Sequence, residues 1–275
     1  MKRQSAGLLC LLCLAFVIAQ FSRQLYQSSA AWSLSRADPK SSQFRQMEFG
    51  SNALKLRMQE MEETGFTLSE LLTIRTPFDG FRFSQTPKWS TEEYASWRAL
   101  LFWKNRDGYE QVHQMYAAIW DDIRCFPVAA DSISYENSWM FERTYGGLRG
   151  HEGTDLMPTQ NIPGYYSVVS VSDGVVEKIG WLPKGGWRIG IRSPSGGYFY
   201  YAHLDSYSRA FQIGEKVSAG EVLGLMGDSG YGEEGTRGKF AVHLHFGIYI
   251  TTKEGEELSI NPYWILRWLD SVASK

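Results

Sequence analysis

Cysteine is scarce: 3 occur in 275 residues, and Cys10 and Cys13 both lie inside the first apolar run. Cys125 stands alone in the remainder, which excludes an intramolecular disulfide framework. A basic excess is missing as well. With 28 Lys and Arg against 30 Asp and Glu, the formal net charge is -2, whereas a chain that neutralises a phosphate backbone needs the opposite sign. Nucleic acid is therefore not an expected partner. Apolar residues are not short: 43% hydrophobic and 15% aromatic are globular values that promise one sizeable core with room for a smaller appendage.

Charge is also absent between Arg3 and Arg23. Lys2 and Arg3 precede an unbroken apolar run from Ala6 to Ala19, the arrangement of an export signal. Residues 1–22 are thus expected to be a signal peptide or membrane anchor. The nearest small-x-small pattern, Ser28 to Ala30, falls well past the run, and the uncharged stretch is long enough to span a bilayer, which favours retention. Residues 23–45, rich in Ser, Gln and Ala, are expected to be a tether.

Helical signals fill 46–125. Leu54, Met58 and Met61 recur at helical spacing, Thr67 with Glu70 and Ser90 with Glu93 make capping boxes, and Tyr109, Val112, Tyr116, Ile119 and Ile123 form a stripe ended by Pro127. Ordinary packing explains the stripe. His113 beside it has no partner and is expected to be structural.

From about residue 144 the texture becomes short Val, Ile, Tyr and Phe runs broken by glycine turns, with Asp173-Gly174 and Ser195-Gly196-Gly197 as hairpin candidates. A mainly β, antiparallel domain over 126–275 is expected, preceded by the α-helical segment. A short closing helix over Asn261 to Trp268 ends it. Of the 5 His in the chain, four lie in this β region. In KFAVHLHFGIYI the two-residue period sends Phe240, Val242, Leu244, Phe246, Ile248 and Ile250 to one face and His243 and His245 to the other. Two adjacent imidazoles backed by an apolar face suit a metal better than a bare polar surface. GGLRGHEGTDL adds His151 and Asp155, four apart between permissive glycines. Two imidazoles and a carboxylate leave a fourth position open, which is the pattern of a catalytic zinc. His203 in YFYYAHLDS stands at a strand end. Alone it would read as a buried, hydrogen-bonded residue.

HEGTD, the DGVV turn, YAHL, GEKVSAGEVLGLMGDSG, HLHF and NPY, in that order over about 144–263, resemble the LytM and lysostaphin-type zinc metallopeptidases, which cut peptide cross-links of bacterial cell walls. The resemblance implies the fold of that family, an antiparallel sheet with a duplicated hybrid motif. It implies that His151, Asp155 and His245 bind one Zn²⁺ and that His203 and His243 are catalytic imidazoles flanking the reacting water. The substrate would be peptide stems of peptidoglycan, met outside the cytoplasm by a chain anchored in the membrane or secreted to the wall. Tyr200, Tyr201 and Tyr231 would rim the groove. One departure is YGEEGTRGKFAV between Gly230 and His243, longer and more charged than the family's usual turn. The helical segment inherits nothing from the family. Two rivals stand beside this reading: a non-catalytic wall-binding or regulatory module of the same fold, and a lipoyl-like carrier hairpin suggested by GEKVSAGEVLGLMG. The carrier lacks its modified lysine and leaves four His unexplained.

Overall fold

The computed structural model describes residues 2–83, 87–145 and 147–273. Helix α1 (Lys2–Ser33) carries the apolar run, and its side chains from Leu9 to Tyr26 are exposed. Among the described residues, Leu9–Arg36 is the stretch long and apolar enough to cross a membrane, with mean hydropathy 1.6. The expected tether is different in kind. Helix α1 continues through it to Ser33, and Ala31, Leu34 and Phe44 are fully buried. Small and aromatic residues that read as an unpatterned linker are here fitted against other helices, so the segment packs instead of swinging.

Five further helices build a block: α2 (Ser42–Gln46), α3 (Ser51–Thr64), α4 (Leu68–Asp79), α5 (Thr91–Lys104) and α6 (Arg106–Trp120). Both capping boxes form, with Thr67 and Glu70 opening α4 and Ser90 and Glu93 opening α5. On α6, Val112, Tyr116 and Ile119 are fully buried, each contributing roughly 1.5–3 kcal/mol of apolar burial. This helix ends at Trp120, well before Pro127. The cause is pairing: Ile123 bridges to Ser172 and Val128 to Val168, so the chain has already joined the β region.

A small hairpin follows, β1 (Glu142–Arg143) with β2 (Arg149–Gly150). The remaining strands are β3 (Thr154–Leu156), β4 (Ser167–Val169), β5 (Gly174–Leu182), β6 (Gly186–Arg192), β7 (Tyr198–Tyr207), β8 (Lys216–Val217), β9 (Val222–Met226), β10 (Leu244–Thr251) and β11 (Glu257–Ile260). They form one antiparallel sheet of order β11-β10-β7-β6-β5-β8, with β3 also on β10 and β9 joining β4 to β7. Ser195-Gly196-Gly197 turns the β6–β7 hairpin, closed by Ser193 N–H donating to the Gly197 carbonyl at 2.8 Å. Asp173-Gly174 does not turn a hairpin, since β4 pairs with β9 and β5 with β6 and β8. Its glycine serves closeness instead of chain reversal.

Helix α7 (Tyr263–Ala273) closes the chain, with Trp268 edge-on to Trp120 at 6.0 Å. One apolar core runs without a break from Ala30 through the sheet to Leu269. Two seams join helices to sheet. Arg45 donates to the Ser259 carbonyl at 2.9 Å, and the Gly197 turn sits so near the Ala118 carbonyl that a Cβ there would meet it at 2.0 Å.

Candidate functional site

Strand β10 delivers the central histidine by simple alternation. Leu244, Phe246, Ile248 and Ile250 are buried at 0–2% exposure, so His245 must face the other side. Phe240 departs from the expected face: the strand begins only at Leu244, and Phe240 instead packs its ring 4.6 Å from His203. Pairing with β3 sets Asp155 directly opposite His245, and His151 enters from the β1–β2 hairpin, where its N–H donates to the Phe141 carbonyl at 2.9 Å.

The three groups converge on one point. His151 Nε2 lies 2.9 Å from Asp155 Oδ1 and 3.0 Å from His245 Nδ1, which is 3.1 Å from the same oxygen. Zinc held tetrahedrally at about 2.0–2.1 Å separates its ligand atoms by roughly 3.3 Å, so this nearly equilateral triangle matches one face of such a site. The donor set, two imidazoles and a carboxylate, is also the right chemistry. A further detail fits: a Cβ on Gly153 would come within 2.6 Å of His245 Cε1 and Nε2, so the glycine of HEGTD makes room for the ring.

Neighbours hold the triangle. The Ser138 carbonyl stands 3.2 Å from His151 Nδ1 and Arg143 donates to Asp155 Oδ2 at 2.7 Å, leaving His151 Nε2 and Asp155 Oδ1 turned inward. Burial opposes ionisation of Asp155, but hydrogen bonds from His151 and His245 outweigh it and hold the carboxyl far below its usual range. Arg143 was not foreseen. Its two-residue strand is too short to carry a periodic signal, and a lone Arg eight places before a His has no meaning in sequence alone.

His203 and His243 stand beside the triangle, their rings 4.7 Å apart. His203 donates from Nδ1 to the Ser229 carbonyl at 2.8 Å, and His243 from Nδ1 to the Ala241 carbonyl at 2.7 Å. A carbonyl can only accept, so in each neutral ring the lone pair is on Nε2. That atom of His243 is 3.7 Å from Asp155 Oδ1. His203 holds φ 62°, where β7 changes register, and the left-handed kink re-aims a side chain that regular alternation would send elsewhere. Burial, then the charges of His243 and His245, push its pKa well below the ordinary histidine value.

These groups floor a groove of about 630 Å³. Tyr200 and Tyr231 line it, as expected, whereas Tyr201 is fully buried and accepts the Val171 N–H at 2.8 Å in the core. Tyr231 begins the charged loop and stacks flat on Tyr145 of the β1–β2 turn, with ring centres 4.0 Å apart and planes 4° off parallel. All the residues lining the groove fall between Arg143 and Glu257, so the helical block contributes none of them. His113 is remote from the groove and lies 3.4 Å from Ser69 Oγ.

The model of Peptidase family M23 matches residues 149–262. An L-Ala--D-Glu endopeptidase of Bacillus subtilis is 44% identical over 141 residues, 51% of this chain and 41% of that protein. The glycyl-glycine endopeptidase ALE-1 of Staphylococcus capitis is 30% identical over 135 residues, 45% of this chain and 34% of that protein. The chain thus spans less than half the length of either curated relative. A crystal structure from Ruminococcus gnavus, provisionally named a glycyl-glycine endopeptidase LytM, is 43% identical, with a TM-score of 0.73 over 88% of this chain and 96% of that one. That likeness extends beyond the β region into the helical block.

Proposed function

The chain belongs to peptidase family M23, and from that membership we propose that it is an exported, zinc-dependent endopeptidase that hydrolyses peptide bonds of bacterial peptidoglycan. The observation that carries this is the triangle of His151 Nε2, Asp155 Oδ1 and His245 Nδ1 at the floor of an open groove, with two oriented imidazoles beside it. Those three residues would hold one Zn²⁺, which supplies Lewis acidity that acidifies water and polarises a carbonyl. The chain's own groups do the rest. Nε2 of His203 or His243 takes a proton from the attacking water, steadies the oxyanion as the imidazolium so formed, and returns the proton to the departing amine. Their Nδ1 hydrogen bonds fix both tautomers beforehand. Arg143 holds Oδ2 and so keeps the Asp155 carboxylate turned. A non-catalytic wall-binding module would have no use for two such lone pairs beside one cation site.

The proposed location is outside the cytoplasm at the cell wall, with the chain retained in the membrane through residues 1–22, the helical segment 46–125 as its support and the peptidase in 126–275. The test is digestion of purified peptidoglycans of differing cross-link by the zinc-loaded chain, with mass analysis of the fragments. New peptide amino termini, lost with a chelator and restored by zinc, are expected. Release of no fragments, or of fragments cut only in the glycan, overturns the proposal.

A further inference from the structure

Two guanidinium groups of the groove are left without acceptors. Arg188 Nε and Nη1 and Arg149 Nε are shielded from solvent and make no hydrogen bond. Burying such N–H groups unpaired is costly, and a folded chain that keeps several of them in one groove has a reason outside itself. The protein's own carboxylates are spoken for. Glu177 and Glu257 pair with Arg192 at 2.5 and 3.2 Å, and Asp155 is held by Arg143 and the imidazoles. Glu152, the remaining acid of the lining, is exposed and makes no ion pair with Arg149 or Arg188 among the described residues. Arg143, Arg149, Lys178, Lys184 and Arg188 therefore outnumber the acids around the groove, and its field favours an anionic guest.

Register fixes where that guest would lie. Arg188 on β6 lies at the register shift opposite Ala202 and His203 of β7, and Ala202 pairs with His245 of β10, which puts Arg188 two strand spacings or roughly 10 Å from the triangle. Arg149 precedes His151 by two residues and so shares its side of the chain. The Tyr200 phenol, pushed up to about 12 by burial, feels both positive charges, so the two arginines share one neighbourhood.

We infer that Arg188, together with Arg149, is the specificity-determining site of the groove and recognises a carboxylate on the substrate peptide within a residue or two of the bond that is cut. Each of Nε and Nη1 forms, with Nη2, a fork of two parallel donors, the geometry a carboxylate accepts and an amide cannot match. This rests on the peptidase reading and narrows its substrate to acidic peptides.

The test uses the full zinc-loaded chain and two synthetic peptides containing L-Ala–D-Glu, identical except that the free Glu carboxylate of one is an amide in the other. The carboxylate peptide should be cut with kcat/KM about 10- to 100-fold higher. Arg188→Gln should bring that ratio close to one by slowing only the carboxylate peptide, and Arg188→Lys should keep part of it. Binding of both peptides to His203→Gln, which is expected not to cut them, is followed by calorimetry. Equal binding and equal cleavage of the two peptides by the unmutated site overturn the inference, as does a ratio that survives replacing both arginines by Gln. If the carboxylate peptide binds preferentially and neither is cut by the wild type, the carboxylate site stands and the peptidase reading falls.

Discussion

In the helical block, Arg57 and Glu60 are both fully buried 3.0 Å apart, and each oxygen of Glu60 is taken, one by the Trp89 N–H and the other by Arg57 and the Tyr94 hydroxyl. In the β region His151 is buried and Asp155 and His245 are half-buried, yet their inward atoms face one another, and Arg188 keeps two N–H groups without acceptors. The first arrangement is closed, because both carboxylate oxygens are answered within the chain and the guanidinium lies against one of them. The second is open. Closed burial of charge specifies how helices pack, whereas open burial specifies what the protein must bind.

That contrast can be broken most severely at the open site. Asp155→Asn and His245→Ala should each remove bound zinc and with it all detectable hydrolysis, while the helical content of the folded chain stays near wild type. Metal analysis of the purified variants checks this. If these two and His151→Ala all retain one zinc per chain, the ligand assignment is wrong.

At the closed site the expected damage is to folding. Glu60→Ala leaves the Arg57 charge buried without its partner and should cost about 3–5 kcal/mol, read as a lower denaturant midpoint. Zinc affinity of the folded fraction should not change. A variant that loses zinc without losing stability would erase the distinction between the two regions.

Next in size is His203→Gln. It should keep its zinc and lose about 100-fold or more in kcat, because it removes a proton carrier and no ligand. Loss of metal from this variant would move His203 into the ligand set. The smallest effect is expected at Gly153→Ala, whose added methyl must displace the His245 ring from 2.6 Å. Zinc affinity should fall by about 10- to 100-fold, as when a supporting neighbour of a ligand is lost. Competition with a chelator measures it, and an unchanged affinity would mean that the ring is free to shift.

Much of this was legible in the sequence because it is written in local rules. The alternation around His245, the capping boxes at Thr67 and Ser90 and the closing helix each depend on residues a few places apart, and the ordered motifs from HEGTD to NPY name the family. What stayed hidden depends on distant partners. Arg143 matters only because Asp155 lies across a hairpin of two-residue strands, and Tyr201 could be told from Tyr200 only once its neighbour Val171 was known. Residues 23–45 misled for a related reason. Ala31 and Phe44 have no pattern of their own and gain their meaning from the helices that cover them.

The unbroken passage of α1 into the core sets the radius of action of the groove. A flexible leash of some 23 residues would let it roam over roughly 25 Å, while a helix rises only about 1.5 Å per residue and does not bend at will. With α1 held in a bilayer, the enzyme is a fixed post and not an animal on a chain. On the proposed placement it would meet the wall at one height and one angle, so the fabric within that reach, more than diffusion of the enzyme, would decide which strands it can trim.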